Sequence, residues 1–299
     1  MKVYVMCPPR KATGGVELLN QLTAELNRHD GVRAKIWYRG HHGEDLMPEE
    51  YEQYGNEYDT RRNVPSDAVV VMPEIWATKA AEFKRPCIYW ESVDNYIACC
   101  EMKTLPENLP KQTIHLTQSE YARQFLLQNG VANSIEVTDY LNDDFFVDYE
   151  EVDREPIVLY NPRKGWLNTQ KIIRRCNGIR FMPIQNLDRQ DVIRLMHRSM
   201  VYIDFGKHPG KDRIPREAAM CGLCVITGTD GSAKYFKDVS IPEVYKVNKM
   251  DLGLIEKQIR WCLSDYEVRK HDFDGYRTRI RGEKDRFIEG VGRFVSLIG

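Results

Sequence analysis

The amino-acid sequence predicts an α/β protein of two domains, each a parallel sheet covered by helices. Three observations predict it. Short apolar runs alternate with segments of helical apolar spacing, and the alternation occurs in both halves of the chain. An acidic stretch at 142–156, NDDFFVDYEEVDREP, carries neither period and reads as an interdomain linker. The 299 residues leave about 150 for each half, enough to bury a core of its own.

In the first half, Lys2–Met6 reads as a strand and Val16–Arg28 as a helix with Val16, Leu19, Leu22 and Leu26 on one face. Arg33–Tyr38 and Ala68–Met72 are further strands. Between them, residues 39–64 are polar and read as a long surface excursion. Pro86–Trp90 and Thr113–Thr117 follow as strands. Ser119 is a good N-cap for a helix through Gln128, which Gly130 ends, and Ser134–Thr138 completes the half. The second half opens on the strand Ile157–Tyr160. Helices are predicted over Asn168–Arg175, Arg189–Arg198, Pro215–Cys221 and Leu252–Leu263, with strands at Ile179–Pro183, Val201–Asp204 and Leu223–Thr227. A last helix is expected near Glu283–Leu297. In domain terms the expectation is 1–145, a linker at 146–156, 157–282, and a terminal segment 283–299.

Hydrophobic residues make up 42% and charged residues 29%, the balance of a globular chain rather than a disordered one. The net charge of −1 provides no bulk attraction to nucleic acid or anionic membrane. No apolar run approaches the ~20 residues of a spanning helix, and MKVYVMCPPRK lacks the features of a signal peptide, so a cytoplasmic location is expected. Eight cysteines in a chain this long make no disulfide framework. Cys221 and Cys224 form one CxxC without a second. They read as small buried side chains, as do Cys99 and Cys100.

The richest stretch is Val201–Thr227: strand, charged glycine-containing loop, helix, strand. Lys207, His208, Lys211 and Arg213 lie in the loop. Pro215 suits a first helical turn and Gly222 a helix end. Cations beside a helix N-terminus suit an anionic ligand. A second basic loop, Asn161-Pro162-Arg163-Lys164-Gly165, follows the strand ending at Tyr160. Arg is a fork and Lys a point charge, and the two can converge on one pyrophosphate; a solvated basic turn is the competing reading. Thr13-Gly14-Gly15 precedes the first helix, where paired glycines permit close backbone approach or simply form a tight turn. Glu217 suits a ribose diol as hydrogen-bond acceptor, or complements the helix dipole in its first turn. Glu91 and Asp94 follow the strand Pro86–Trp90, either as polar contacts or as caps.

Residues 201–227 resemble the donor-binding segment of GT-B glycosyltransferases, in particular the retaining families with two glutamates eight positions apart. Their pattern runs Glu-Gly-Phe-Gly-Leu-Pro-x-x-Glu-Ala-Met-Ala-x-Gly-x-Pro-Val-Ile. Gly210, Pro215, Glu217, Ala218, Met220, Gly222, Val225 and Ile226 fit it. Pro209 stands where the first glutamate would be, with His208 beside it. The resemblance implies two Rossmann-like domains facing a central cleft, the last helix crossing back to the first domain. It implies a glycosyltransferase that moves a sugar from a nucleotide-diphosphate donor to a saccharide or other hydroxyl acceptor, with retention and without a metal or other cofactor. The acceptor side would be the first domain and the donor side the second. Donor-binding residues would be Gly14, Gly15, Asn161, Arg163, Lys164, Lys211, Arg213 and Glu217. The first-domain histidine of such enzymes is absent, and Glu91, Asp94 and His208 are the catalytic candidates.

No metal motif is apparent. His41 and His42 adjoin Glu44 and Asp45 without ligand spacing and read as a solvated loop, and His115 reads as a core histidine. Asn142-Asp143-Asp144 is a poor metal site. Three rivals stay open: a non-catalytic sugar- or nucleotide-binding protein on the same fold, a nicotinamide-dependent oxidoreductase, disfavoured by the missing G-x-G-x-x-G, and a scaffold with no small ligand.

Overall fold

The computed structural model describes residues 1–146 and 153–299; residues 147–152 of the expected linker lie outside the described residues. The chain forms two compact units, Met1–Asp139 with Lys284–Gly299, and Tyr140–Glu283.

The first unit contains strands β1 (Lys2–Met6), β2 (Arg33–Trp37), β3 (Tyr58–Asp59), β4 (Val69–Pro73), β5 (Arg85–Trp90), β6 (Ile114–Thr117) and β7 (Ile135–Glu136). They pair in the order β3-β2-β1-β4-β5-β6-β7, every pair parallel. Parallel neighbours need crossovers, supplied here by helices α1 (Gly14–Leu26), α2 (Val93–Cys100) and α3 (Glu120–Gln128) and by 3-10 turns at Glu49–Tyr54 and Glu74–Glu82. Burial on both faces explains the unbroken apolar run of β4, whose five residues are all buried. Ser119 caps α3 as expected, accepting from the Ala122 N–H at 3.1 Å.

The polar stretch 39–64 departs from its reading as an excursion. It contributes β3 to the sheet, and Leu46 and Tyr51 are buried. Hydrogen bonds rather than apolar period attach it to α1. Tyr51 Oη donates to the Thr13 carbonyl at 2.9 Å and Tyr54 Oη to Glu17 at 2.8 Å.

The second unit has strands β8 (Ile157–Tyr160), β9 (Arg180–Pro183), β10 (Val201–Asp204) and β11 (Cys224–Thr227), all parallel in the order β11-β10-β8-β9. Its helices are α4 (Trp166–Arg175), α5 (Arg189–Arg198), α6 (Arg213–Met220), α7 (Leu252–Ser264), α8 (Tyr266–Arg269) and α9 (Asp274–Arg281). One apolar core joins them, from Leu141 and Phe145 through Val158, Ile203 and Val225 to Ile255, Phe273 and Ile280. Gly222 ends α6 in a Schellman motif. At φ +90° it lets its own N–H reach the Ala219 carbonyl at 3.0 Å and the Leu223 N–H reach Ala218 at 3.0 Å.

The last helix, α10 (Glu283–Ile298), places Phe287, Val291 and Phe294 in buried positions. Within the first unit, its Arg293 donates to the Glu136 carbonyl at 3.2 Å, and a Cβ on Gly290 would overlap that carbonyl. Among the described residues no helix is long and apolar enough to cross a membrane.

The eight cysteines are all reduced, and Cys221 and Cys224 are buried as expected. Cys99 is exposed and Cys100 partly buried, correcting their reading as core residues. They close a short helix that the sequence reading lacked. His115 is a core histidine as read: its Nδ1 accepts from Trp90 Nε1 at 3.0 Å, and burial lowers its pKa to about 4.

Candidate functional site

In the second sheet the connections reverse direction between β8 and β10: one leads outward to β9, the other to β11. Loops leaving the carboxyl ends of such strands form a natural ligand crevice. These are the two basic loops singled out from the sequence, and they meet. Gly165 sits at φ +60°, and a Cβ there would come within 2.6–2.7 Å of the Gly206 N and Cα and the Phe205 carbonyl. Asn168 Nδ2 donates to that Phe205 carbonyl at 3.1 Å. The Lys164 ammonium pairs with Asp212.

Beneath the surface lies a charged cluster. His208 is fully buried, its Nδ1 2.9 Å from an oxygen of Asp212 and its Nε2 3.7 Å from Asp204. Asp204 also accepts from the Gly206 N–H at 3.0 Å and from Tyr202 Oη at 3.1 Å. Burial works against a charged imidazole, yet the two aspartates outweigh it and hold the His208 pKa above its ordinary value. Burial likewise opposes the Asp212 carboxylate, but His208 and Lys164 outweigh that and hold its pKa below the usual range. Asp204, His208 and Asp212 are the group among the described residues whose ligand atoms lie close enough to share a metal ion. The Lys164 ammonium, paired with Asp212, already places positive charge there.

The sequence-predicted residues divide accordingly. Arg163 is exposed, with no ion-pair partner among the described residues, and its N–H donates to Asn161 Oδ1 at 2.9 Å. Lys207 is exposed on the facing loop. Neither α4 nor α6 is capped by a side chain, so first-turn N–H groups remain for a ligand. Arg213 opens α6, and Glu217, partly buried, lies in its second turn. The helix begins two residues earlier than expected, which removes Glu217 from the first turn and with it the dipole reading.

Two assignments need correction. His208 is turned inward, with no surface to offer a substrate. Lys211 pairs with Glu283 at 2.7 Å and its side chain is 9% exposed, so its charge is balanced inside the fold. The sequence reading missed the partner in that cluster, Arg216. It is fully buried, bonds Glu283 at 2.7 Å, and donates to the Lys211 and Asp212 carbonyls. A visible signal was an arginine between Pro215 and Glu217, just ahead of the apolar run Ala218-Ala219-Met220.

In the first unit the connections reverse between β1 and β4. Thr13 caps α1, so Gly14 and Gly15 form its first turn. A Cβ on Gly15 would overlap the Glu91 carboxylate. A groove of about 800 Å³ adjoins, lined by Arg10, Ala12, Glu44, Asp45, Met47, Pro48, Glu49 and Glu52. Asp94 accepts from Tyr121 Oη at 2.9 Å, a contact that holds α2 to α3. Glu74, which no motif picked out, follows β4 directly and is 2% exposed. Burial raises its pKa to about 7, although the N–H groups of Glu91, Glu74 and Ser92 pull the other way.

That raised pKa has a measurable effect. The folded state holds a proton on Glu74 that the unfolded chain releases near the usual value. The associated stability is present below pH 4.5 and is lost as pH rises through about 7. A shift of this size is on the order of 3 kcal/mol. Glu74→Gln cannot titrate, so it should lose less stability than the native chain between pH 5 and pH 8. Urea midpoints at both pH values measure it, and equal losses would contradict the burial account.

No protein-family model and no curated protein matches the chain. Solved structures do. HepE from Anabaena, crystallised with UDP-glucose, aligns with a TM-score of 0.72 at 12% identity, covering 99% of each chain. A glycosyltransferase from Rickettsia africae aligns at 0.70 and 14%, covering 99% of this chain and 97% of that one. Sucrose-phosphate synthase from Thermosynechococcus elongatus aligns at 0.70 and 12%, covering 100% and 99%. Identities this low speak for architecture alone: the chain has the GT-B fold, as its sequence resemblance implied.

Proposed function

We propose that the chain is a glycosyltransferase that moves a sugar from a nucleotide-diphosphate donor to a saccharide or other hydroxyl acceptor, with retention of configuration. The observation that carries the reading is the meeting of the 161–165 and 205–212 loops at the reversal point of the second sheet. There Arg163, Lys164 and Lys207 gather beside two helix N-termini without side-chain caps. Leaving-group charge grows as the sugar–phosphate bond breaks. Fixed cations and N–H dipoles stabilise that growth in the transition state. Asn161 and Arg213 flank the diphosphate in this reading, and the Glu217 carboxylate accepts from the ribose diol. Asp204, His208 and Asp212 hold the loop rigid from behind. Similarity to structures solved with UDP-glucose supports UDP as the first ligand to try.

The reading needs no metal, because protein cations occupy that role. UDP should raise the melting temperature, with a stabilisation of about 2.7 kcal/mol at a hundredfold excess over Kd. Arg163→Ala removes a charge-assisted contact of roughly 1.5–3 kcal/mol and should weaken UDP about ten- to a hundredfold without altering the unliganded melting temperature. EDTA should leave the UDP shift in place. The reading fails if none of UDP, GDP, ADP and dTDP moves the transition. A shift that disappears on chelation would overturn its metal-free part and point to the Asp204, His208 and Asp212 group.

A further inference from the structure

The net charge of −1 is an average over the whole chain, and α4 departs from it. Its sequence, WLNTQKIIRR, holds Lys171, Arg174 and Arg175 and no acidic side chain. α7 packs beside it: Arg175 Nε lies 2.9 Å from Glu256, and Arg260 donates to the Asn177 carbonyl at 3.0 Å. Together the two helices carry five cations against one anion, Glu256, and that anion is engaged by Arg175 and Arg260. Lys171, Arg174 and Lys257 are exposed and have no ion-pair partner among the described residues.

Apolar side chains share this surface. Trp166 is 42% exposed and Leu167 74%. A first helical turn in water is best filled by acidic residues behind a side-chain cap. α4 has neither and presents Trp and Leu to solvent instead. Trp166 is held there by stacking on Tyr160, the ring centroids 6.0 Å apart. Leu167, Lys171 and Arg174 recur at the four- and three-residue spacing of one helix face. α7 repeats the arrangement, with Leu254, 39% exposed, three positions before Lys257. In each helix the apolar group comes first and a cation follows one turn later.

We propose that α4 and the flank of α7 dock on an anionic lipid bilayer, Trp166 and Leu167 entering the interface and Lys171, Arg174 and Lys257 meeting headgroup phosphates. Charge complementarity selects an anionic surface, and the long stems of Lys and Arg carry the charge outward past apolar contacts. Phosphate alone does not select a bilayer, since a nucleic acid offers it too. The aliphatic Leu167 does: it gains from burial among acyl chains and nothing from a sugar–phosphate backbone. Trp suits the depth between headgroups and hydrocarbon. Arg163 and Lys207 are not required, so docking is independent of the glycosyltransferase reading.

Co-sedimentation of the full chain with vesicles measures it. One set of vesicles is phosphatidylcholine, the other equal parts phosphatidylcholine and phosphatidylglycerol. The native chain should bind the anionic set alone, and more weakly as salt rises. Each cation near an anionic surface contributes about fivefold, so Lys171→Glu/Arg174→Glu should weaken binding about thirtyfold or more. Lys103→Glu/Lys111→Glu, an exposed pair in the first unit, changes the net charge equally and should bind as the native chain does. Leu167→Gln should weaken binding about tenfold. Brominated lipid should quench the native fluorescence, and that of Trp166→Phe less.

Absence of binding to anionic vesicles overturns the proposal. So does an equal loss in the two charge-reversed pairs, which would reduce the effect to net charge, or native binding by Leu167→Gln. Two rival occupants have their own signatures. A single-stranded oligonucleotide bound where vesicles are not, and released by Lys171→Glu/Arg174→Glu, assigns the face to nucleic acid. Self-association in sedimentation, abolished by Leu167→Gln and without vesicle binding, assigns it to a second copy of the chain. Either outcome overturns bilayer docking. Should the reversed pair fail to fold, Lys171→Gln/Arg174→Gln carries the same comparisons.

Discussion

Glu283→Ala should destabilise the second unit by about 3–5 kcal/mol, the cost of stripping the partner from a buried ion pair. Glu283 joins two cations at once. Lys211 and Arg216 each lie 2.7 Å from it, and the Arg216 guanidinium is fully buried. Removing the carboxylate takes a charged partner from that guanidinium, which also donates to the Lys211 and Asp212 carbonyls. Water cannot replace the lost charge without opening the α6 packing. The expected ranking is Glu283→Ala worst, Glu283→Gln intermediate because an acceptor oxygen remains, and Arg216→Met/Glu283→Leu recovering much of the loss, since a well-packed apolar pair avoids the desolvation cost. Urea denaturation of the four proteins gives the order. A loss below about 1 kcal/mol for Glu283→Ala, the level of an exposed pair, would show that the cluster is wetter than its burial indicates.

Gly165→Ala should be comparably damaging, for a steric reason. An alanine at φ +60° carries backbone strain of ~1–3 kcal/mol. Its Cβ would also press within 2.6–2.7 Å of backbone atoms of Gly206 and Phe205, which have no flexible end to move aside; overpacking of this kind adds ~1–3 kcal/mol. Gly178 supplies the control. It has φ +80° with nothing within 4 Å of a built Cβ, so Gly178→Ala isolates the strain. Gly165→Ala should exceed it in stability loss and should also weaken UDP, because pushing the two loops apart separates Lys164 from the 205–212 loop. Equal losses in the two variants, with UDP affinity intact, would mean that the loops are not in register contact.

The fold was legible where burial writes a clean pattern. β1, β8, α5 and β10 fall on the expected residues one for one, being bounded by turn residues and carrying unambiguous apolar runs or caps. Elements that depend on tertiary contacts were not legible. α2, with sequence VDNYIACC, is only eight residues of indifferent helix propensity. It is held by the Ser92 cap and by Tyr96, packed 5.1 Å from Trp90 between ring centroids. Residues 266–281 form two short helices around Tyr266, Phe273 and Tyr276 that no single amphipathic stripe announces. At the candidate site the kind of charge was readable and its direction was not. Arg163 and Lys207 point outward. His208, Lys211 and Arg216 point inward, because Asp204, Asp212 and Glu283 are there to receive them. Glu283 lies 72 and 67 positions from Lys211 and Arg216, beyond any local spacing rule, and Asp204 and Asp212 lie four positions either side of His208 in a loop with no helical period to orient them.

The first unit is discontinuous in sequence, closing with Lys284–Gly299 after the whole of the second. On a ribosome, α10 therefore emerges only after the whole of the second unit. At roughly 5–20 residues per second, an interval on the order of ten seconds separates synthesis of β7 from synthesis of the helix that packs on it. During that interval the Glu136–Val137 edge, against which Gly290 later packs, lacks its cover. Nascent chains stalled before residue 284 would present this surface to holdase chaperones. Refolding from denaturant, where every segment is present at once, escapes that exposure, so vectorial and bulk folding of this protein follow different orders of assembly.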